Sequence, residues 1–263
     1  MKIAVCIKQV PASTDVKVDP VTGVLIRSGT NNKMNPYDLY AVETALKIKA
    51  MIPNTKVYAI SMGPAQAKTI LNEALWMGCD EAILLSDRKF AGADVLATSQ
   101  ALSQGLLYIG GLDLIICGKQ TIDGDTAQVG PEIAELLAYP HATYVNEIIS
   151  VNEKTLEVST NYENHHEILA ISLPCLITVE KDIYTPRLPS YKRGLDFKDY
   201  EIEVISLKDL PDNDEHKYGL NGSPTQVEKI FSPDKNDKKE VVEGSILHVV
   251  DTLFNELKTK KYI

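Results

Sequence analysis

The stretch Gly118-Lys119-Gln120-Thr121-Ile122-Asp123-Gly124-Asp125-Thr126-Ala127-Gln128-Val129-Gly130 has the residue types of an anion cradle. It leaves an apolar run and enters a helical pattern through glycines, small residues and capping side chains. Such a segment presents free main-chain amides at a helix start, where a phosphate can be held without any reactive side chain. Lys119 offers a positive charge, Gln120 an amide, and Asp125 or Thr126 a cap for the following helix. The competing reading is an ordinary capped, solvated strand-to-helix loop, since Gly and Asp are common in both. Asp123 beside Asp125 suggests a metal less than it suggests a pair of caps. Neither GxxxxGK[ST] nor GxGxxG occurs, which counts against a P-loop NTPase and a simple dinucleotide dehydrogenase.

Two further segments follow apolar runs in the same way: Cys6–Pro11, and the tight turn Ser61-Met62-Gly63-Pro64. Other chemistry is sparse. His165-His166 reads as a solvated pair in a hairpin turn, and His141, His216 and His248 have no nucleophile or carboxylate motif beside them. Cys6, Cys79, Cys117 and Cys175 are widely spaced without a CxxC pair, so they read as buried, inert thiols rather than metal or redox ligands. A nucleotide-type loop without an acid/base pair implies that a cofactor carries the chemistry and that no side-chain catalysis is to be expected.

The elements that must position these segments alternate. Ile3–Val10, Val57–Met62, Ala82–Leu85 and Leu112–Cys117 read as strands. Helices are expected at Pro36–Ala50 (Asn35 as N-cap, Pro36 first), from about Pro64 to Met77, and over Ala93–Leu107 and Thr126–Leu137. This spacing predicts an α/β fold: a doubly wound, mostly parallel, Rossmann-like sheet with helices on both faces. In such a sheet, ligands bind beyond the carboxyl ends of the strands, where all three segments lie.

After Pro140 shorter strands, Ile148–Val151, Leu156–Asn161, Ile168–Ile171 and Leu176–Val179, suggest a small antiparallel addition. Residues 1–185 are read as the nucleotide-binding domain. Residues 186–263 are read as a docking loop and an extended C-terminal arm. Pro211–Glu240 is too polar to fold alone. Ile246–Leu257 has helical apolar spacing, which suits either a helix folded back on its own domain or an arm reaching a partner.

The 27 Lys and Arg against 36 Asp and Glu give a net charge of −9, which disfavours nucleic acid as a partner. No apolar run approaches the roughly 18 residues of a membrane span. The start Met1-Lys2-Ile3-Ala4-Val5 has no secretory pattern, so a cytoplasmic location is expected.

Lys8-Gln9-Val10-Pro11, Asn35-Pro36-Tyr37-Asp38 with Ala41-Val42-Glu43, Ser61-Met62-Gly63-Pro64, Ala74-Leu75-Trp76-Met77-Gly78 and Gly118–Gly130 resemble, in order, blocks of the electron transfer flavoprotein β family. The resemblance covers essentially the whole chain. It implies an adenine nucleotide held by Cys6 (through its backbone), Asn35, Pro36, Tyr37, Asp38 and Met62. It also implies contacts from Gly118, Lys119, Gln120, Thr121, Ile122, Asp123, Gly124, Asp125, Thr126, Ala127, Gln128 and Val129. Asp123–Pro131 and Phe90-Ala91-Gly92-Ala93-Asp94 with Ala97-Thr98 look like the bifurcating members, which hold FAD where ordinary carriers hold structural AMP. Small residues there would leave room for a ribityl chain and flavin, with Asp94 among the contacts.

The resemblance then implies a heterodimer with an electron transfer flavoprotein α subunit and NADH as electron donor. Electrons would pass to ferredoxin or flavodoxin and, through the α-subunit FAD, to an acyl-CoA-dehydrogenase-like or lactate-dehydrogenase-like flavoenzyme. Pro186–Tyr191 resembles the family's partner-docking loop with Tyr191 as apolar anchor, and Pro211–Ile263 the arm around the α subunit. Thr160–Glu167 departs from the family signature, lacking its paired glycines, whereas Leu173-Pro174 and Ile177-Thr178 fit it. The alternatives are a non-bifurcating carrier with AMP and an ATP-binding regulator resembling universal stress proteins, whose Gly-rich phosphate pattern is missing.

Overall fold

The computed structural model describes residues 1–12, 32–162, 164–228, 239 and 241–263. Glu163 of the expected hairpin turn, and 229–238 and 240 of the polar tether, lie outside the described residues. In chain order the strands are β1 (Lys2–Cys6), β2 (Gln9–Pro11), β3 (Asn32–Met34), β4 (Lys56–Met62), β5 (Glu81–Leu85), β6 (Leu114–Gly118), β7 (His141–Val151), β8 (Thr155–Tyr162), β9 (His165–Ser172), β10 (Cys175–Val179) and β11 (Glu203–Ile205). The helices are α1 (Pro36–Met51), α2 (Lys68–Met77), α3 (Val95–Ile109), α4 (Val129–Leu137), α5 (Tyr191–Asp196) and α6 (Ile246–Thr259).

One nine-stranded sheet runs β11-β5-β4-β1-β6-β10-β7-β8-β9, and β2 and β3 form a separate antiparallel pair. From β11 to β7 every neighbour is parallel, while β8 and β9 add on antiparallel. The fold is therefore the mostly parallel, two-sided α/β sheet that the strand–helix alternation predicts. Ile3, Ala4 and Val5 of β1 are fully buried because both faces of this central strand are covered. Val42 of α1 and Leu71 of α2 pack on one face; Leu102 of α3 and Ile133 of α4 pack on the other. The chain winds outward from β1 through β4 and β5, then returns to place β6 on the other side of β1. That reversal opens a crevice between the carboxyl ends of β1 and β6.

Several boundaries differ from the sequence reading, each for a local reason. The first strand stops at Cys6, because the Lys8 N–H donates to the Asp38 carboxylate at 2.7 Å and turns the chain toward β2. Helix α4 begins at Val129 with Gln128 before it, so neither Asp125 nor Thr126 is its cap. Asp125 and Ala127 sit in the left-handed region, at φ 53° and 54°, which keeps the loop extended for one more turn. His165 and His166 open strand β9 rather than occupying a turn: they pair with Tyr162 and Asn161, and the Tyr162 and His165 rings stack at 5.2 Å.

The region beyond Pro186 is not uniformly an arm. β11 extends the sheet beside β5, and Ile205, Leu207, Leu210 and Tyr218 join the core under α3. Helix α6 has the character of an arm: none of its residues is buried. No helix among the described residues is long and apolar enough to cross a membrane.

Candidate nucleotide site

Two of the expected segments, Cys6–Pro11 and Gly118–Gly130, meet at the β1/β6 crevice; Ser61–Pro64 ends β4, on the other side of β1. Cys6 and Cys117 are register neighbours at the last turn of the two strands. Beyond them lie the start of α1 and the loop after β6. Asn35 precedes α1 but makes no side-chain cap. Its fully buried carboxamide donates to the Gln120 carbonyl at 2.8 Å and to Asp38 Oδ1 at 3.0 Å, and accepts from the Ile122 N–H at 3.2 Å. One side chain thus ties the helix start to the loop. Pro36 needs no N–H at the first helical position, and Asp38 closes the turn by donating its own N–H to the Asn35 carbonyl at 2.9 Å.

Asp38 is the buried charge of the crevice. Burial pushes its carboxyl up to about 7, with hydrogen bonds from Asn35 and from the Lys8 and Gly118 main chain pulling the other way. Gly118 is required at its position: a Cβ there would sit 2.5 Å from Asp38 Oδ1 and 2.7 Å from the Tyr37 carbonyl carbon. The strand end can therefore approach the helix start closely only as glycine.

The loop itself is held at both ends and exposed between. Lys119 N–H donates to the Val179 carbonyl at 3.0 Å, while its ammonium pairs with Glu180 at 2.7 Å and lies over the Tyr144 ring at 4.9 Å. Burial pulls the Lys119 pKa down, and the Glu180 hydrogen bond and charge more than reverse it. Its charge is therefore shared with Glu180 rather than free for a phosphate. Gln120 donates to Asp125 at 2.8 Å, and the Asp125 N–H returns to the Thr121 carbonyl at 2.9 Å. Ile122 through Thr126 are exposed, with Ala127 and Val129 half-buried. Gln128 gives α4 no side-chain cap, which leaves the first amides of that helix for an anion. Gly130 is buried under Thr178, whose methyl would lie 2.5 Å from an added Cβ.

Met62, half-buried, ends β4, and Gly63 turns the chain there by donating to the Leu85 carbonyl at 3.0 Å. Asp94 lies elsewhere in the network. It caps α3 through the Ala97 N–H at 3.1 Å, and its other oxygen accepts from Thr225 N–H and Oγ1 at 3.0 and 2.8 Å. Its own N–H donates to Ser223 Oγ at 2.8 Å. Both carboxylate oxygens are engaged with the protein itself. Nor is the small Gly92 free space, since a Cβ there would lie 2.6 Å from Leu220.

Two residues outside the expected set belong to the site. Lys8 reaches Asp123 at 2.8 Å and bridges the end of β1 to the loop tip. Its place just past a strand terminus was the available signal. Glu180 holds Lys119 from the end of β10, a neighbour that chain order does not reveal. The arrangement (main-chain amides, an uncapped helix start and a glycine-lined approach at a topological switch point) fits the phosphates of a nucleotide.

An electron transfer flavoprotein domain matches residues 22–210. The chain is 43% identical over 264 residues to the caffeyl-CoA reductase–Etf complex subunit CarD of Acetobacterium woodii, and 42% identical over 263 residues to the electron transfer flavoprotein subunit beta of Clostridium acetobutylicum, in both cases along the whole of each chain. It is 41% identical to the protein FixA of Sinorhizobium fredii, over 98% of this chain and 93% of that protein. With a family match over most of its length and end-to-end similarity of this kind, the chain belongs to the electron transfer flavoprotein family, on its β-subunit branch.

Proposed function

We propose that the chain is the nucleotide-holding β subunit of a cytoplasmic electron-bifurcating complex, with FAD in the β1/β6 crevice and an α subunit as obligate partner. The observation that carries the nucleotide assignment is the junction of Asn35, Asp38 and Gly118 with the loop leading to the uncapped start of α4. When bound, FAD supplies hydride acceptance from NADH and division of the electron pair between ferredoxin or flavodoxin and, through the α-subunit FAD, a dehydrogenase-like flavoenzyme. The chain's own residues bind and orient. The α4 amides take phosphate charge, and Gly118 lets the strand end approach the α1 start. Asn35 holds Gln120 and Ile122 in place, while Lys8 and Asp123 tether the loop tip.

Leu188 and Tyr191, 87% and 84% exposed, support a docking surface for an acyl-CoA-dehydrogenase-like or lactate-dehydrogenase-like flavoenzyme. The exposed Ile246, Val250, Leu253 and Phe254 of α6 support an arm that packs on the α subunit. The likeness to CarD, a subunit of a named reductase–Etf complex, supports the same reading. One observation favours the second reading, a non-bifurcating carrier with AMP: the space at Gly92 is taken by Leu220 rather than left for a ribityl chain. Cofactor release from the purified αβ complex decides between them. Two FAD per heterodimer and flavin bleaching by NADH on both subunits are expected; one FAD with one AMP would establish the carrier.

A further inference from the structure

Glu43 is an anomaly in α1. It stands among Val42, Ala45 and Leu46 on the packed side of the helix, with its carboxylate only 3% exposed. Oε2 accepts from both the backbone N–H of Arg187 at 3.1 Å and its Nε at 2.8 Å, and Oε1 accepts from Nη2 at 2.9 Å. Only the carboxylate is buried, the Arg187 side chain being 44% exposed, so the pair contributes little net stability: desolvating Glu43 offsets much of an attraction that solvent already screens. What a two-pronged guanidinium–carboxylate contact does supply is fixed direction. Here the same oxygen also holds the main chain of Arg187, so backbone and side chain are set together.

The segment that begins at Arg187 is the one that exposes Leu188 and Tyr191. Its far end has an independent anchor. The Ser190 N–H donates to the Trp76 carbonyl at 3.0 Å, and Arg193 Nε and Nη2 donate to the Leu75 and Cys79 carbonyls at 2.8 and 2.6 Å. Gly194 lies against the Trp76 indole, 3.8 Å from an added Cβ. Two arginine clasps thus bracket a stretch whose apolar side chains point outward, and the clasp at Arg187 depends on a single residue of α1. A cavity of about 380 Å³ lies between the clasps, floored by Leu46, Ala50 and Met77. Core packing therefore does not fill the space between them.

We infer that Glu43 is the positioning residue of the docking segment: it holds Arg187 so that Leu188 and Tyr191 are presented in a fixed geometry to the electron-accepting or electron-donating flavoenzyme. The inference rests on reading this segment as a docking surface. A segment ordered before binding loses less freedom on association, so its release should weaken docking without touching electron transfer inside the complex.

The test uses the αβ holocomplex, with a short-chain acyl-CoA dehydrogenase reduced by its acyl-CoA as the probe partner. Four forms are compared: wild type, Glu43→Gln, the charge-free pair Glu43→Gln/Arg187→Met, and Leu188→Ala/Tyr191→Ala. The pair guards against misfolding caused by a stranded guanidinium. Amide exchange at Arg187 and Leu188 should quicken at least about tenfold in both Glu43 forms, with residues 193–197 and the nucleotide content unchanged. KM for the dehydrogenase should rise about tenfold at nearly constant kcat. Unchanged exchange at Arg187 and Leu188 overturns the inference. So does an unchanged KM in the Glu43 forms when Leu188→Ala/Tyr191→Ala raises it. If Leu188→Ala/Tyr191→Ala leaves KM unchanged, the docking reading is what fails, and the exchange result alone then decides whether Glu43 orders the segment.

Discussion

Asp38 and Gly118 define each other: the buried carboxylate of one occupies the space where the other would carry a side chain. The contact joins the first turn of α1 to the last residue of β6, so the crevice between the strands has no slack at its base.

Gly118→Ala should accordingly cost about 1–3 kcal/mol by overpacking, because the obstructing atoms include the Tyr37 backbone as well as a carboxylate held by several donors. Denaturant titration of the complex would measure the loss, and chromatography of released nucleotide should show emptier β subunits. Full retention of nucleotide with unchanged stability would contradict the geometry.

Asn35→Ala leaves the Gln120 carbonyl and the Ile122 N–H without their buried partner. A loss of about 1–3 kcal/mol is expected. Hydrogen exchange should rise first at 120–125, before the strands are affected, because the remaining tethers of that loop are exposed.

The pH dependence of Asp38 has a definite sign. Its folded carboxyl is raised to about 7 from an ordinary 3.8, so between these values the folded chain binds more protons than the unfolded one. This contribution to stability is complete below about pH 3.8 and is lost as pH rises through about 7. Asp38→Asn should remove that slope, seen as a flatter Tm profile between pH 4.5 and about 8. Parallel profiles for the two proteins would refute the assignment.

Thiol chemistry gives a fourth check. All four cysteines are free and buried. Burial pushes Cys79 and Cys175 up to about 12, and Cys117 is raised well above its usual value, chiefly by its hydrogen bond to Cys6 and then by burial. At pH 8 a thiol of pKa near 12 is thiolate in only about one part in 10⁴, so a disulfide reagent should label Cys79, Cys117 and Cys175 only after unfolding. Rapid labelling of any of these three in the native complex would argue against the packing described.

The sheet was legible because its strands are short apolar runs such as Leu114-Ile115-Ile116-Cys117, whose continuity betrays burial on both faces. A helix start was legible where proline marks it, at Pro36, whereas Asp94, the cap of α3, was placed inside the expected helix. The start of α4 was misread at Asp125 and Thr126, since no side-chain preference announces the left-handed residues Asp125 and Ala127 before that helix. Position along a strand identified the loop and the crevice. It could not reveal that Lys119 answers to Glu180 or Arg187 to Glu43, because those pairs join residues 61 and 144 apart. Residues 186–263 read as a docking loop and arm with Pro211–Glu240 too polar to fold alone, yet a few apolar residues, Ile205, Leu207, Leu210 and Tyr218, anchor part of it once β5 offers an open edge.

Asp94 has one more implication. The carboxylate that starts α3 also grips Thr225, so the segment around Ser223 and Thr225 is pinned to the start of that helix. Ser99 of α3 in turn donates to Glu132 of α4, so a shift of the Thr225 segment can pass through α3 to the helix that follows the 118–128 loop.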